Sequence, residues 1–546
     1  MPLLSYNRAT SSKLQFRALI AFQLIILVLI YFQARTSEMW LWAIISFVPT
    51  TLVCLIRKKE KEVLLSLSLL FFSQFAMFIF AQPTWGYGFN SDSINDLQIA
   101  SILSEEPHFD LGRVGYTERN GYSYYPLLHL FSVSLSKISG IPLNSIALYV
   151  VPFLNALLVP VLLYYLNYEL FGLQGNERNI ATLLFSTGWY YSFFYSQFVR
   201  EVFAFPFALL CLLLVAKIAK NPRYQYAIIF TIISVAVTLS HHITSYLLLV
   251  IFALIVLGIN VSGKNNMLSR LLLLMTIIVS AYAFFVAFDF MIMQGYYAFA
   301  GLQRISGAGS FSILKPFEEW QRYLVYTYYL IIAAFALAGG IKLLKRAIKR
   351  ENWVIILLIM FFGSFFMLCV LLRLSTPADA WSWTYYMSLR GTIWSFIGIA
   401  VSGAVGMVFL FSKHRTPIYA LVIVLLVCLL AAGKFAQNSP IISDPTTALP
   451  VTYSRFTAAL WLKEQTVHGS ALLVAPTEDV QSFGASRDLA PYAYLGEYFL
   501  DESTRYEQFN GYIAFVGSYF EQFRNDTSIQ KIYTNGETDV GYKGTG

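Results

Sequence analysis

The stretch YYPLLHLFSVSLSKI, residues 124–138, decides how the chain is threaded through a membrane. It is apolar, but it is shorter than the roughly 20 residues that cross a bilayer as a helix, and it contains His129 and Lys137. If it crossed, every later loop would change sides, and the basic run from Lys342 to Arg350 would lie outside. Because basic loops stay on the inner side, we interpret residues 124–138 as an interfacial or re-entrant helix on the outer surface.

The composition indicates a membrane protein. Of the 546 residues, 57% are hydrophobic and only 12% are charged, against about 25% charged residues in an ordinary soluble protein. This excludes a disordered regulator and disfavours a large soluble enzyme. The net charge of +8 does not indicate a nucleic-acid partner, because the surplus of Lys and Arg lies in loops predicted to be cytoplasmic. The four cysteines lie singly in apolar runs, and their spacing indicates neither a metal site nor a disulfide framework.

The sequence predicts a polytopic α-helical membrane protein with about thirteen transmembrane helices. We expect a multi-pass protein of the cell (plasma) membrane with a cytoplasmic N-terminus and a signal anchor as its first span. The transmembrane domain covers 1–433, and two outer segments interrupt it, the large first loop 83–145 and the segment 289–323. The predicted spans are 17–33, 39–56, 63–82, 146–168, 179–195, 201–216, 225–240, 243–260, 271–288, 324–341, 353–372, 391–412 and 417–433.

Residues 434–546 contain no long apolar run and are predicted to form a small extracytoplasmic α/β domain. Residues 458–462 follow a helical pattern, and residues 471–475 are typical of a buried strand. Asn535-Gly536 is a strong signal for a β-hairpin turn. The tail is therefore expected to combine helix and strand outside the membrane.

The first outer loop contains two carboxylates at helical spacing, Asp92 and Asp96. A helix beginning near Ser91 would place both on one face, where like charges disfavour joint ionisation unless a cation or a cationic substrate lies between them. These residues therefore suit catalysis or metal binding. Alternatively, Ser91, Asp92 and Ser93 only cap a helix that runs to Leu103, and the residue types alone leave both interpretations open.

Three ring-bearing side chains, Tyr124, Tyr125 and His129, lie at the start of the interfacial helix. Tyrosines at a membrane surface usually form an aromatic belt. Their faces can also line a sugar pocket, so we treat these three residues as candidates for lining the substrate.

Ionisable residues also stand at the predicted outer ends of spans, in Arg200-Glu201, His241-His242 and Arg390. Such groups at membrane depth are functional-site candidates by default. The alternatives are a local ion pair between Arg200 and Glu201, and an Arg390 that only extends to the lipid headgroups. One of the two histidines could bind a metal or a phosphate while the other packs. A forked, permanently charged guanidinium also suits a lipid-linked phosphate or pyrophosphate.

Taken together, these features resemble the GT-C superfamily of membrane glycosyltransferases, which includes the oligosaccharyltransferase catalytic subunit, protein O-mannosyltransferases and the lipid A aminoarabinose transferase. The shared layout is an acidic residue in the first large outer loop, a Tyr-rich Pro-Leu-Leu segment, ionisable residues in short outer turns and a soluble outer tail. The motifs look most like the archaeal and bacterial branch. They are Asp92-x-x-x-Asp96, Tyr124-Tyr125-Pro126-Leu127-Leu128-His129, Val199-Arg200-Glu201, Ser240-His241-His242-Ile243-Thr244, Leu460-Trp461-Leu462-Lys463 and Lys531-Ile532-Tyr533-Thr534-Asn535-Gly536.

Three features depart from the superfamily's pattern. Two extra spans precede the loop that contains Asp92, and Asp92 is followed by Ser rather than Glu. Arg200-Glu201 stands where the oligosaccharyltransferases have Asp-x-Asp. The last two differences make a metal optional and argue against a true oligosaccharyltransferase.

The resemblance implies a sugar donor carried on a polyprenyl (dolichyl or undecaprenyl) phosphate, and an acceptor that is a lipid, a glycan or a protein. It implies contacts with membrane lipids and no nucleic acid. Asp92 would be the general base for the acceptor hydroxyl, with Asp96 as a second catalytic carboxylate. Asp96 and Glu201 would orient the site or hold a divalent cation such as Mg²⁺ or Mn²⁺, if a metal is present at all.

The same resemblance assigns the leaving phosphate of the donor to Arg390, together with Arg200 or His241.

Other classes of protein remain open. A lipid-linked glycan polymerase or ligase would use the same donors but usually relies on Arg and His. A flippase or transporter would show ionisable or Gly/Pro-broken positions near span centres and inverted repeats. A membrane scaffold would not need Asp92, Glu201, His241 and Arg390 to converge.

Overall fold

The computed structural model describes most of the predicted membrane domain and four strands near the C-terminal end. The predicted span 417–433 and the helical segment 458–462 lie outside the described residues. Those residues are 16–29, 39–56, 59–81, 91–105, 124–186, 195–263, 265–303, 319–375, 383–411, 472–475, 511–516, 529–534 and 538–543.

The described ranges contain fifteen helices. Short turns connect several of them, and α6 includes one π-helical turn, Ile146–Val150. In chain order they are α1 (Phe16–Leu29), α2 (Met39–Ile56), α3 (Glu60–Ala81), α4 (Ser91–Glu105), α5 (Leu127–Ser139), α6 (Leu143–Glu169), α7 (Gly175–Ser186), α8 (Arg200–Lys220), α9 (Tyr224–Ser240), α10 (His242–Ser262), α11 (Asn266–Phe285), α12 (Phe288–Gln303), α13 (Glu319–Lys349), α14 (Trp353–Ser375) and α15 (Trp383–Phe411).

Each predicted span that falls on described residues coincides with a helix, and of the 179–195 span the structure describes 179–186, which lie in α7, and Tyr195. Among the described helices, six are long and apolar enough to cross a membrane: α6, α8, α10, α11, α14 and α15. This finding supports a multi-pass membrane protein, and the number of about thirteen spans stays a prediction. Helix α12 occupies the first part of the segment 289–323, whose location outside the membrane stays a prediction.

The chain folds as two units. The first unit consists of Met1–Ala81, Pro152–Ser196 and Glu201–Ile442, and the second consists of Gln82–Val151, Gln197–Arg200 and Ser443–Gly546. The predicted domain boundary after residue 433 stays a prediction.

In the first unit, glycines allow α13 and α15 to pack with their backbones in close contact. A Cβ atom on Gly339 would collide with the carbonyl oxygen of Ser402, and a Cβ atom on Gly406 would collide with the carbonyl oxygen of Phe335. Small residues at such crossings are typical of membrane helices, because lipid supplies no hydrophobic force that would press helices together. The close backbone approach fixes the position of α15, which contains Arg390.

A buried polar cluster joins the first three helices of the first unit. Gln23 of α1 hydrogen-bonds Thr50 of α2, and it contacts Ser66 of α3 through Ser66 Oγ to Gln23 Oε1 at 3.1 Å. All three side chains are buried. Hydrogen bonds between apolar helices of this kind hold neighbours together in the membrane.

Ion pairs join helix ends on the side predicted to be cytoplasmic. Glu169 at the end of α6 contacts Lys217 at 3.3 Å and Lys220 at 2.8 Å, both near the end of α8. Glu177 of α7 contacts Arg346 of α13 at 3.0 Å. These pairs lie in partly exposed positions, where each contributes modestly to stability.

The second unit contains α4, α5, the start of α6 and a four-stranded sheet. Helix α5 begins directly after Pro126 and ends at Gly140, whose φ of +72° is the left-handed conformation that terminates helices. A helix of thirteen residues forms here, as residues 124–138 predict for an interfacial segment.

The sheet has the strand order β1-β2-β4-β3. Strands β1 and β2 pair in parallel, whereas β2–β4 and β3–β4 are antiparallel. The predicted strand at 471–475 is confirmed by β1, and the antiparallel pairing of β3 with β4 confirms the hairpin predicted from Asn535-Gly536. The strands are β1 (Leu472–Ala475), β2 (Gly511–Val516), β3 (Ile529–Thr534) and β4 (Thr538–Lys543).

Candidate active site

In the second unit, Asp96 is the centre of a buried charged cluster. Its Oδ1 atom lies 2.8 Å from His129 Nε2 and 2.9 Å from Arg200 Nε, and its Oδ2 atom accepts a hydrogen bond of 3.2 Å from the backbone N–H of Arg200. Asp96 and His129 are fully buried, and Arg200 is nearly so. Helix α4 supplies Asp96, α5 supplies His129, and Arg200 is the first residue of α8.

These contacts give Asp96 a clear physical role. Arg200 N–H is one of the donors that a helix leaves unpaired at its N-terminus, where the helix dipole also favours a negative charge. The carboxylate satisfies that donor and pairs with the guanidinium of Arg200. Asp96 thereby fixes α4 to α5 and to the start of α8, and Asp92 lies one turn before it on α4.

The protonation state of His129 follows from its surroundings. Burial lowers the pKa of His129 below its ordinary value, and the charge of Arg200 acts in the same direction, while the hydrogen bond to Asp96 opposes it. His129 is therefore neutral near pH 7. Because a carboxylate only accepts hydrogen bonds, the imidazole proton must lie on Nε2, and Nδ1 carries the lone pair.

In the first unit, Arg390 is held between Glu201 and His241. Arg390 Nη1 lies 3.0 Å from Glu201 Oε2 and 2.9 Å from His241 Nε2. Glu201 comes from the start of α8, Arg390 from α15, and His241 is the N-cap residue of α10. Glu201 and His241 are buried, and Arg390 is only 5% exposed.

The contact with Arg390 also defines the state of His241. A guanidinium has only N–H donors, so His241 Nε2 accepts, and a neutral ring must then carry its proton on Nδ1. That proton points to Thr244 Oγ1, 2.9 Å away, while the Thr244 N–H contact to Nδ1 is longer at 3.4 Å. His241 is thus a neutral acceptor that shares Arg390 with Glu201.

Aromatic side chains pack beside this cluster. Tyr195 donates a hydrogen bond of 3.4 Å to Glu201 Oε1, and its ring meets Phe205 edge-on at 4.8 Å between centroids. Phe205 in turn meets the fully buried Trp394 at 5.4 Å. The low-dielectric surroundings strengthen the interaction between Arg390 and Glu201. Sequence reasoning missed Tyr195 and Trp394, although Trp394 lies one helical turn after Arg390.

The structure brings the predicted residues together in two groups. Arg200 and Glu201 are consecutive, but each pairs with a residue distant in the sequence, Asp96 and Arg390 respectively. His242 packs against Phe290 of α12 at 4.7 Å between ring centroids, and the prediction that one histidine of the short turn binds a metal or a phosphate while the other packs stays a prediction.

The remaining candidates are Asp92, Tyr124 and Tyr125. Asp92 lies in the first turn of α4, and its side chain is outside the described part of the structure. Tyr124 is half-buried and Tyr125 is buried. The proposed lining of the substrate by Tyr124, Tyr125 and His129 stays a prediction.

The two carboxylates proposed as metal ligands do not fit a resident cation. Asp96 is already neutralised by Arg200, and Glu201 by Arg390, and a divalent ion would have to displace these guanidinium groups. Within the described ranges, no group of three or more His, Cys, Asp or Glu side chains could hold a metal ion. We therefore assign no step of the chemistry to a metal at Asp96 or Glu201.

No protein-family model matches the sequence, and no curated protein matches it. Two solved structures are nevertheless similar in fold. ArnT from Cupriavidus metallidurans, bound to undecaprenyl phosphate, matches with a TM-score of 0.51 and 11% identity over 87% of this chain and 97% of ArnT. The archaeal oligosaccharyltransferase AglB from Archaeoglobus fulgidus, in complex with an inhibitory peptide and a dolichol-phosphate, matches with a TM-score of 0.52 and 12% identity over 88% of this chain and 69% of AglB. Both are GT-C superfamily proteins. This chain has the GT-C fold.

The helices that precede the first outer loop belong to the first unit. Three helices, α1 to α3, precede α4, and the two extra spans expected before the loop that contains Asp92 stay a prediction. The polar cluster of Gln23, Thr50 and Ser66 integrates these helices into the first unit.

Proposed function

We propose that the protein is an integral membrane glycosyltransferase that moves a sugar from a polyprenyl-phosphate donor to an acceptor at the outer face of the membrane. The observation that carries the proposal is Arg390, a buried guanidinium at the predicted outer end of a span, held by Glu201 and His241. The GT-C fold supports the general class, since two proteins of similar fold were solved with undecaprenyl phosphate and dolichol-phosphate.

Arg390 suits the phosphate of such a donor. A guanidinium stays charged at every physiological pH and offers five N–H donors in a planar fork. The contacts with Glu201 and His241 hold the group in place before any ligand arrives, which lowers the cost of ordering it on binding. In the proposal, Arg390 binds the phosphate that leaves during transfer and stabilises its growing negative charge.

In the proposed chemical step, Asp92 accepts the proton of the acceptor hydroxyl. The oxygen of an acceptor hydroxyl attacks the anomeric carbon of the donor sugar, and the bond from that carbon to the phosphate oxygen breaks. The hydroxyl proton passes to the Asp92 carboxylate, and the polyprenyl phosphate leaves as an anion. A base in this role needs hydrogen-bond reach to the hydroxyl, and the anchoring of α4 through Asp96 would hold Asp92 in that position.

The contacts of the remaining residues suggest supporting roles. Asp96 and Arg200 act as positioning residues, because they pair with each other and with the helix start. Glu201 positions Arg390. His241 is a positioning residue as well, since its Nε2 atom accepts from Arg390.

Helix continuity favours the enzyme over a transporter. Transporters typically break their helices near the bilayer midplane to form a binding site. Pro49, Pro160 and Pro206 lie inside α2, α6 and α8, yet each of these helices continues through its proline. Arg200 and Glu201 instead begin α8, and Arg390 lies at the predicted outer end of a span.

A reconstituted transfer assay tests the proposal. The purified protein in liposomes is given a panel of radiolabelled polyprenyl-phosphate sugars with lipid, glycan and peptide acceptors, and the product and free polyprenyl phosphate are measured. We expect transfer by the natural protein and its loss in Asp92→Asn, with Asp289→Asn as a matched control at an exposed carboxylate. Transfer by Asp92→Asn at the natural rate would remove Asp92 as the base, and no transfer from any donor would refute the proposed function.

A further inference from the structure

Two buried polar atoms on α5 have no role in the mechanism above. His129 Nδ1 and Ser132 Oγ are both buried, and neither has a hydrogen-bond partner among the residues that the structure describes. Both side chains are 0% exposed. Buried polar atoms are almost always paired, so two such atoms on one helix require an explanation.

The spacing places the two atoms on one face of α5. Residues three apart on a helix are neighbours, with their Cβ atoms roughly 5–6 Å apart. Leu128 and Val133 are buried with them, whereas Leu130 is exposed, so the buried face of α5 contains both polar residues. One small group could therefore contact His129 and Ser132 at the same time.

The hydrogen-bond chemistry of this pair is complementary. Asp96 binds the Nε2–H of His129, which leaves Nδ1 as an acceptor, and burial keeps the ring neutral. The charged groups that face the ring are Asp96 from α4 and Arg200 from α8, and both are already paired. Ser132 offers one O–H donor and two lone pairs. The matching partner is a group that donates to Nδ1 and accepts from Ser132.

We propose that His129 Nδ1 and Ser132 Oγ form a binding subsite for one neutral hydroxyl group. An O–H donates to Nδ1 while its oxygen accepts from the Ser132 hydroxyl. A phosphate or carboxylate does not fit, because the lone pair on Nδ1 would repel it, and an isolated cation would be costly to bury. The hydroxyl comes either from a single internal water or from a sugar, and the proposal does not depend on the proposed glycosyl transfer.

Nitrogen-15 NMR of histidine-labelled protein in phosphatidylcholine liposomes tests the subsite. The chain has six histidines, and the His129 signals are assigned by their loss in His129→Gln. A glutamine at this position keeps a donor for Asp96 but has no counterpart of Nδ1. The spectra are recorded without additive and with methyl β-D-glucopyranoside, a neutral polyol that serves as the sugar probe.

The expected spectrum shows His129 Nδ1 unprotonated and shifted as a hydrogen-bond acceptor. A shift that is present without additive and unchanged by the glucoside identifies water as the source, and a shift that requires the glucoside identifies a sugar hydroxyl. In Ser132→Ala the shift should move toward that of an unbonded lone pair. The proposal is overturned if Nδ1 carries the proton, if its lone pair is unbonded under both conditions, or if Ser132→Ala leaves the shift unchanged.

Discussion

Replacing Glu201 with glutamine would leave the charge of Arg390 buried without its carboxylate. The Glu201 side chain is 1% exposed and that of Arg390 is 5% exposed, with 3.0 Å between Oε2 and Nη1. Removing one partner of such a pair costs about 3–5 kcal/mol, because the remaining charge is desolvated and uncompensated. Because every step of about 1.4 kcal/mol changes an equilibrium constant tenfold, Glu201→Gln should lower the folding equilibrium constant by roughly two to four orders of magnitude. His241 carries no negative charge and cannot replace the carboxylate.

The assay is denaturant unfolding of the purified protein in mixed micelles, read by intrinsic fluorescence. Glu177→Gln is the matched control, because Glu177 also pairs with an arginine at 3.0 Å, but Arg346 is 42% exposed and the pair should contribute less than about 1 kcal/mol. A double variant, Glu201→Gln with Arg390→Gln, should recover part of the loss since no unpaired charge remains. If Glu201→Gln costs no more than Glu177→Gln, the pairing of Glu201 with Arg390 as the support of the site is wrong.

Three further predictions concern stability. Gly406→Leu should lower Tm in detergent by separating α13 from α15, whereas Gly363→Ala, where an added Cβ meets open space, should have little effect. Gln23→Leu should cost about 1–3 kcal/mol because Thr50 and Ser66 each lose a buried hydrogen-bond partner, and a loss of under 0.5 kcal/mol in the unfolding assay would contradict this. The lowered pKa of His129 means that the folded protein favours the neutral ring, so stability should fall as the pH drops below the ordinary value of 6.5. His129→Gln should flatten that part of the pH profile of Tm, and an unchanged profile would contradict the assignment.

The fold followed from the sequence because membrane insertion depends on composition more than on tertiary contacts. Long apolar runs place the helices, and the distribution of Lys and Arg was enough to interpret 124–138 as an interfacial segment. The sequence made no prediction for the sixteen-residue helix α12, because 289–323 was considered only for its lack of an apolar run long enough to span a membrane. The hairpin near the C-terminal end was predictable because Asn-Gly has a local conformational preference.

The pairing of the residues singled out from the sequence could not be predicted, and their place in a functional site stays a prediction. Arg200 and Glu201 were identified by their position at the end of a span, yet Asp96, the partner of Arg200, lies 104 residues away in the sequence. Such pairing depends on how helices pack, which residue type and spacing do not specify. The burial of His129 could be predicted from the sequence, because His129 follows the spacing of one buried helix face together with Leu128, Ser132 and Val133.

The most direct test of the central claim compares two donors of the same sugar. The protein in liposomes receives either the sugar on polyprenyl phosphate or the corresponding nucleotide sugar, and the transferred sugar is counted together with the released carrier. We predict transfer from the polyprenyl phosphate with one equivalent of free lipid phosphate for each sugar moved, and none from the nucleotide sugar. Transfer from the nucleotide sugar alone would contradict the account.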